Sequence, residues 1–209
     1  MDELLDVLDG SGRQTGEVAW KSEAHRLGLW HRCSHCWVVG EDAGGSYLLV
    51  QRRAATKDTW PGYLDVTCAG HLQSGEEPLS GGLRELEEEL GLEVGAERLV
   101  PLGTRRIEQE IEGGCDREFH DVFLLSNTTP PEDLRLQERE VEAVLRVRLG
   151  DAEALVGRGA VPAVEYAGGG ISAAWVRLSN FVPNEDDYLP LVAGAARRIL
   201  AGESPGRLF

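Results

Sequence analysis

The stretch from Gly70 to Leu92, GHLQSGEEPLSGGLRELEEELGL, constrains this chain more than any other. Pro78 suits the first turn of a helix, where its missing N–H is not needed. Gly91 suits the position just past a helix end. Between them Leu79, Leu83, Leu86 and Leu90 recur at spacings of three and four, which makes one apolar face. The pattern predicts a helix with that face committed to a core. Glu85, Glu88 and Glu89 stand at i, i+3 and i+4, so their carboxylates crowd a second face. Like charges so placed repel by roughly a few tenths of a kcal/mol each. A hard divalent cation would offset this, because Mg²⁺ takes carboxylate oxygens and keeps positions for waters and substrate phosphates. An acidic, solvent-facing helix is the plainer alternative. Gly81 and Gly82 sit inside the helix at about 1 kcal/mol each against Ala; close packing on a sheet would be a reason to keep them.

The full pattern says more than its glutamates. Gly70, five residues, Glu76, seven residues, Arg84-Glu85, an aliphatic, any residue, Glu88-Glu89, any residue, Gly91, an aliphatic: this resembles the Nudix box at all nine defined positions over 23 residues. The resemblance implies an α/β fold, a Nudix-type α/β/α sandwich with a mixed β-sheet, in which the box is a loop–helix–loop. It implies hydrolysis of a diphosphate linked to some other group, with Mg²⁺ or Mn²⁺ as cofactor. By that resemblance Glu85, Glu88 and Glu89 are metal ligands or the base for water, with Gly70 beside them in the metal site. Arg84 would orient the carboxylates, and Glu76 and Gly91 would be structural.

A net charge of −15 disfavours nucleic acid polymers and anionic membranes as partners, since both require a basic footprint. It is compatible with a small-molecule diphosphate, because bound metal supplies local positive charge. No apolar run approaches a membrane span, and the opening MDELLDVLDG lacks the basic start of a secretory signal. Cys33, Cys36, Cys68 and Cys115 suit a reducing compartment, which points to the cytoplasm and leaves an organelle open. Cys33 and Cys36 form a CxxC with no second pair, which argues against a zinc site. At 209 residues the chain reads as a single domain. Its core is expected at about 30–157, with an N-terminal hairpin and extension over 1–29 and a C-terminal helical appendage over 158–209. A homodimer is compatible with this reading.

In chain order, residues 1–20 predict a small edge hairpin, and residues 33–39 and 46–53 predict strands around Gly44-Gly45. A loop over 54–63 and a strand over 64–70 lead into the box. Residues 98–111 and 117–125 predict strands joined around Gly113-Gly114. On the second of these, Glu118, His120, Val122 and Leu124 share one face and Phe119, Asp121, Phe123 and Leu125 the other. A Pro-rich loop over 126–140 precedes a last strand at 141–148. Beyond it the expectation is a helix at 151–157, an irregular Gly-rich stretch at 158–171, a helix at about 186–201 and a frayed tail from Glu203 to Phe209.

Three clusters lie outside the box. Arg52, Arg53 and Lys57 precede Trp60-Pro61-Gly62; such cations bind phosphate through charge-assisted hydrogen bonds, or they are solvated at an ordinary strand end. His25, His31, His71 and Glu118 could bind a transition metal, or serve surface and hydrogen-bonding roles. Glu138, Glu140 and Glu142 either supply a base or an extra ligand, or form a polar approach to the last strand.

The segments HRCSHCWVV, YLLVQRRAATKDTWPGYLDVTCAGH, REFHDVFLL and LQEREVEAV resemble the Nudix branch related to type I isopentenyl-diphosphate isomerase, over about residues 3–157. That likeness implies that Arg53 and Lys57 hold a diphosphate. It also implies that His25, His31, His71 and Glu118 occupy metal-binding or acid/base positions, with the first spacing one residue shorter here. Two departures point away from isomerisation. The isomerase has Cys immediately before Gly-His, whereas this chain has Ala69 there and Cys68 one residue earlier, on the opposite strand face. The isomerase box also lacks counterparts of Glu85 and Glu88. The expectation is therefore a metal-dependent hydrolase with an isomerase-like pocket, acting on a nucleoside diphosphate derivative or on an isoprenoid or other organic diphosphate. A box glutamate, Glu118 or Glu140 would take the proton from water, and Arg53 and Lys57 would clamp the non-reacting phosphate. An isomerase and a non-catalytic binding module are the alternatives.

Overall fold

A run buried on both faces from Cys33 to Gly40, within residues 30–42, sets the architecture. These residues form one long strand, and in the computed structural model, which describes residues 2–183 and 187–209, it lies at the centre of the sheet. The elements in order are β1 (Leu4–Leu8), β2 (Gln14–Trp20), α1 (Lys21–Leu27), β3 (Trp30–Asp42), β4 (Gly45–Arg53), β5 (Leu64–Asp65), β6 (Cys68–His71) and α2 (Pro78–Leu90). They continue with β7 (Leu99–Ile111), β8 (Gly114–Ser126), β9 (Val141–Arg148), α3 (Leu149–Arg158), β10 (Val161–Ala167), β11 (Gly170–Val176) and α4 (Tyr188–Leu200). One edge of β3 carries β8 in parallel, from Trp30↔Arg117 to Val39↔Ser126. Its other edge carries β6 and then β4, both antiparallel. β9, β10 and β11 continue outward from β4, and β7 flanks β8.

Because strand side chains alternate, β3 feeds two cores. Trp37 and Val39 join Val122, Leu124 and the buried faces of α3 and α4. Cys36 and Val38 join Phe123, Leu125 and the α2 leucines Leu86 and Leu90. The sheet thus lies between α2 on one side and α3 with α4 on the other, an α/β/α sandwich with a mixed sheet, as expected. Fully burying Leu86 and Leu90 contributes about 1.5–3 kcal/mol each. A Cβ on Gly82 would stand 3.0 Å from both Cys36 Sγ and Ser34 Oγ, so this helix lies close enough to the sheet that a side chain there would press on both. Gly91 ends α2 at φ 69°, its N–H returning to Glu87 O.

Several boundaries differ from expectation. The strand expected over 64–70 is two pieces: β5 pairs with β4, then β6 crosses to β3. The Thr67 hydroxyl fills the gap, accepting from Val38 N–H at 2.9 Å and donating to Leu49 O. The strand at 141–148 is not the last. Residues 161–176, in the region expected to be irregular or a helical appendage, form the β10–β11 hairpin and extend the sheet. Gly168 and Gly169, at φ 54° and 76°, close a two-residue turn between paired Ala167 and Gly170. The tail is docked rather than frayed. Leu208 N–H reaches Leu102 O at 2.9 Å, and the Phe209 ring meets Tyr188 edge-on at 5.7 Å. The last helix is seen from Tyr188; Asp186, where it was expected to begin, lies outside the described residues. Residues 21–27, left unassigned by the sequence pattern, are α1. Among the described residues no helix is long and apolar enough to cross a membrane.

Candidate functional site

The α2 register puts Glu85 and Glu89 toward the sheet and leaves Glu88 at the rim, half exposed. Arg84 ties the carboxylates together. Its Nε and Nη2 grip Glu76 at 2.9 and 2.8 Å, and its Nη1 reaches Glu85 at 2.6 Å and Glu88 at 3.3 Å. A further bond to His71 O at 3.1 Å fastens α2 to the end of β6. Glu76 also accepts from Gln73 N–H at 2.9 Å, which braces the loop. Hydrogen bonding from Arg84 holds the Glu76 carboxyl below its usual range. Gly70 is needed where it stands: a Cβ there would overlap the Glu85 carboxylate. Glu89 is 2% exposed. Burial, and then the charge of Glu85, push its carboxyl up to about 8. Burial likewise raises Glu85, against the opposing pull of Arg84. The box therefore holds more negative charge than its own cation offsets.

On the other face of β3 and β8 lies a second cluster. His25 from α1, His31 from β3, His71 from β6 and Glu118 from β8 present ligand atoms all within 4.8 Å of one another. Glu118 Oε1 stands 3.3 Å from His31 Nε2 and 3.2 Å from His71 Nε2. Asp116 Oδ1 stands 3.7 Å from His25 Nε2 and 3.6 Å from His31 Nε2. The three imidazole Nε2 atoms and Asp116 Oδ1 are buried without a hydrogen-bond partner. Buried polar atoms are rarely left so. The Leu29 carbonyl accepts from His31 Nδ1 at 2.9 Å, which turns Nε2 toward the common point. Burial lowers His25 to about 4 and His71 to about 3, so both are neutral at pH 7. Burial and then Glu118 raise Asp116 to about 8.

Glu118 links this cluster to a third group. Its Oε2 is 2.6 Å from His120 Nε2, and its Oε1 accepts from the Cys33 thiol at 2.8 Å. Burial and the Glu118 charge hold that thiol well above its ordinary range. His120 stacks on His35 with ring centres 3.8 Å apart, and Arg105 and Tyr188 complete the group.

Box carboxylates, His25, His71 and Glu118 of the histidine cluster, Arg53 and Lys57 line one open cleft of about 1990 Å³. Arg53 is held by Asp65 at 3.0 Å and by the Thr59 carbonyl. Lys57 pairs with Glu140 across the rim. Arg52 instead pairs with Glu165. Glu138 and Glu142 are exposed. Cys33 and Cys36 do not form a thiol pair: Cys36 Sγ approaches Gly82 O in the α2 core while Cys33 faces Glu118. Cys68 is buried in that same α2 core, and Ala69 packs against the other.

Sequence reasoning missed Asp116, Cys33 and His35, although strand parity carried the signal. Asp116 shares a face with Glu118 and His120, and Cys33 and His35 share one with His31. Arg105 and Tyr188 have no such signal, because they arrive from β7 and α4 through tertiary packing.

Comparison with known proteins agrees with this geometry. The NUDIX domain family matches residues 30–166. An uncharacterized Nudix hydrolase of Clostridium acetobutylicum is 37% identical over 150 residues, 72% of this chain and 72% of that protein. An isopentenyl-diphosphate Delta-isomerase of Cutibacterium acnes is 32% identical over 147 residues, 68% of this chain and 72% of that one. Among solved structures, a protein from Deinococcus radiodurans shares the fold with a TM-score of 0.57 at 20% identity, over 75% of this chain and 90% of that one. With its box intact and two thirds of its length inside the family's domain, this chain belongs to the Nudix family.

Proposed function

We propose that the protein is a divalent-metal-dependent hydrolase that cleaves a diphosphate linkage in a small-molecule substrate. One observation carries the reading: under-compensated box carboxylates and two cations, Arg53 and Lys57, line the same cleft. Glu85, Glu88 and Glu89, with Gly70 beside them, would hold Mg²⁺ or Mn²⁺. Burial raises the Glu85 and Glu89 carboxyls, and a cation there would favour their charged forms. His25, His31, His71, Glu118 and Asp116 would hold a transition metal. Their four unpartnered buried atoms fit that role, and imidazole with carboxylate suits Mn²⁺, Fe²⁺ or Zn²⁺. When bound, such ions polarise a phosphoryl oxygen and lower the pKa of water.

The remaining work belongs to the chain. Arg84 keeps Glu85 and Glu88 aimed by holding Glu76 at its other end. Arg53, locked by Asp65 and Thr59, presents a fixed charge to the non-reacting phosphate. Lys57 exchanges its partner Glu140 for a phosphate oxygen, which frees Glu140 to take a proton from water. The test is release of a phosphate-containing product from a panel of nucleoside, sugar, isoprenoid and thiamine diphosphates with Mg²⁺ or Mn²⁺. Glu89→Gln should lower turnover by about 100-fold or more, the usual scale for a lost electrostatic group. Full activity in Glu89→Gln, or no turnover of any diphosphate, rules the reading out.

A second reading rests on Cys33. The isomerase cysteine is Ala69 here, yet a thiol from β3 faces Glu118 in the same cleft. A thiol–carboxylate pair can move protons, as double-bond isomerisation requires. Formation of dimethylallyl diphosphate from isopentenyl diphosphate without phosphate loss, abolished by Cys33→Ala, would favour it over hydrolysis.

A further inference from the structure

We propose that β11 is an interface strand, pairing antiparallel with β11 of a second copy of this chain about a two-fold axis at Ala173. This stands whatever the cleft hydrolyses.

Three of the longer strands, β2, β7 and β11, are hydrogen-bonded on one side only among the described residues. An open edge invites pairing with another chain, and proteins blunt such edges with charge, proline and irregular backbone. Two of these edges are blunted. β2 carries Glu17 and turns at Gly16, φ 85°, and its register with β1 shifts. β7 carries Pro101, Arg106, Glu108 and Glu110 and slips register with β8 at Gly103, φ 124°. β11, reading GISAAWV, has no charge, no proline and no slip against β10. Its Ile171 and Trp175 are nonetheless 61% and 63% exposed.

Spacing selects the partner. Ala167 and Gly170 flank a two-residue turn and so bond to each other. By alternation Gly170, Ser172, Ala174 and Val176 aim N–H and C=O at β10, while Ile171, Ala173 and Trp175 aim theirs outward. Ile171 and Trp175 stand two residues either side of Ala173. A two-fold axis at Ala173 sets Ile171 of one copy against Trp175 of the other, twice, with alanine against alanine between them. Each of these pairs uses outward groups and exchanges both of its N–H···O bonds. The three side chains share one sheet face, so aromatic and β-branched residues meet directly, a favoured cross-strand combination. Tyr166 and Pro162, their neighbours on β10, continue the apolar row.

Charge selects the same place. At −15, two copies repel over most of their surfaces. Between 159 and 182 only Glu165 and Arg177 are charged, and Arg52 takes Glu165. A strongly charged partner finds little here to pair with; a second neutral edge does. A specific interface needs about 1,000 Å² in all. The two Ile–Trp pairs supply roughly half of that and the paired strand edges the remainder, so the dimer should be a micromolar one.

The experiment is sedimentation velocity of the full chain from about 2 to 200 µM, a range that spans such a Kd. The wild type should pass from monomer to dimer across it. Ala173→Pro removes the central outward N–H and no bond to β10. It should keep the melting temperature of dilute wild type and raise Kd by about 10-fold or more. Trp175→Ser removes the side-chain pair without proline and should weaken association by about as much. Trp20→Ser, on the exposed edge of β2, should leave Kd unchanged. In concentrated protein, hydrogen exchange should slow at the Ile171, Ala173 and Trp175 amides relative to dilute protein. A wild type still monomeric at about 200 µM overturns the proposal. So does a Kd unmoved by both Ala173→Pro and Trp175→Ser, a loss in Trp20→Ser equal to that in Trp175→Ser, or concentration-dependent protection confined to other strands.

Discussion

Arg84→Met cuts the knot that holds the box together. The wild-type guanidinium makes four hydrogen bonds to carboxylates, two of them to Glu76, and one to the His71 carbonyl. Methionine keeps much of the aliphatic stem and removes the charge. Stranding a buried carboxylate costs about 3–5 kcal/mol. Glu85, with 10% side-chain exposure, approaches that case. Glu88 adds little, since its side chain is half exposed. Arg84 retains 21% exposure, so water recovers part of the loss, and about 2–4 kcal/mol is expected for the metal-free protein. For a domain of this size that lowers Tm by about 4–16 °C.

The loss should depend on pH. Arg84 depresses the folded pKa of Glu76. The stability so contributed is present above the unfolded value of about 4.3 and is lost as pH falls through the lower folded value. The gap between wild type and variant should therefore be widest near pH 7 and narrow below about pH 4. Thermal melts in EDTA across that range are the assay. A Tm change under about 2 °C, or a gap that ignores pH, would refute the charge-bracing account of Arg84.

Further outcomes follow from the same geometry. The Glu89 carboxyl is raised to about 8 in the folded chain. The metal-free protein should thus lose stability as pH climbs from about 4.3 to 8, by at most about 5 kcal/mol at about 1.4 per unit. Urea titrations should show Glu89→Gln flattening that slope, and Mg²⁺ should restore the wild type. Gly70→Ala drives a methyl into the Glu85 carboxylate. It should cost about 1–3 kcal/mol by denaturant melts and most of the hydrolytic activity. Mn²⁺ or Zn²⁺ at 100 times its Kd should add about 2.7 kcal/mol of stability per occupied site. Calorimetry should show His31→Ala losing one class of site and Glu88→Gln weakening another; identical isotherms would count against two separate sites.

Local grammar was enough for the helix of the box. Pro78, the leucine stripe and Gly91 specify where α2 begins, which face it buries and where it stops, because each acts within a turn or two of itself. The same holds for the two faces of β8, since strand parity is a property of the backbone. The β10–β11 hairpin was masked because two glycines in a tight turn look like disorder until their positive φ angles close a register. Resemblance pointed to the histidine cluster, but no spacing along the chain assembles it. His25, His31, His71 and Glu118 come from four elements, and only the parallel pairing of β3 with β8 and the crossing of β6 bring them within 4.8 Å. Burial also decides which of those groups carry charge. No spacing encodes that, because desolvation depends on what the rest of the chain packs around a side chain, and chemistry in this cleft is set by that packing as much as by the residues themselves.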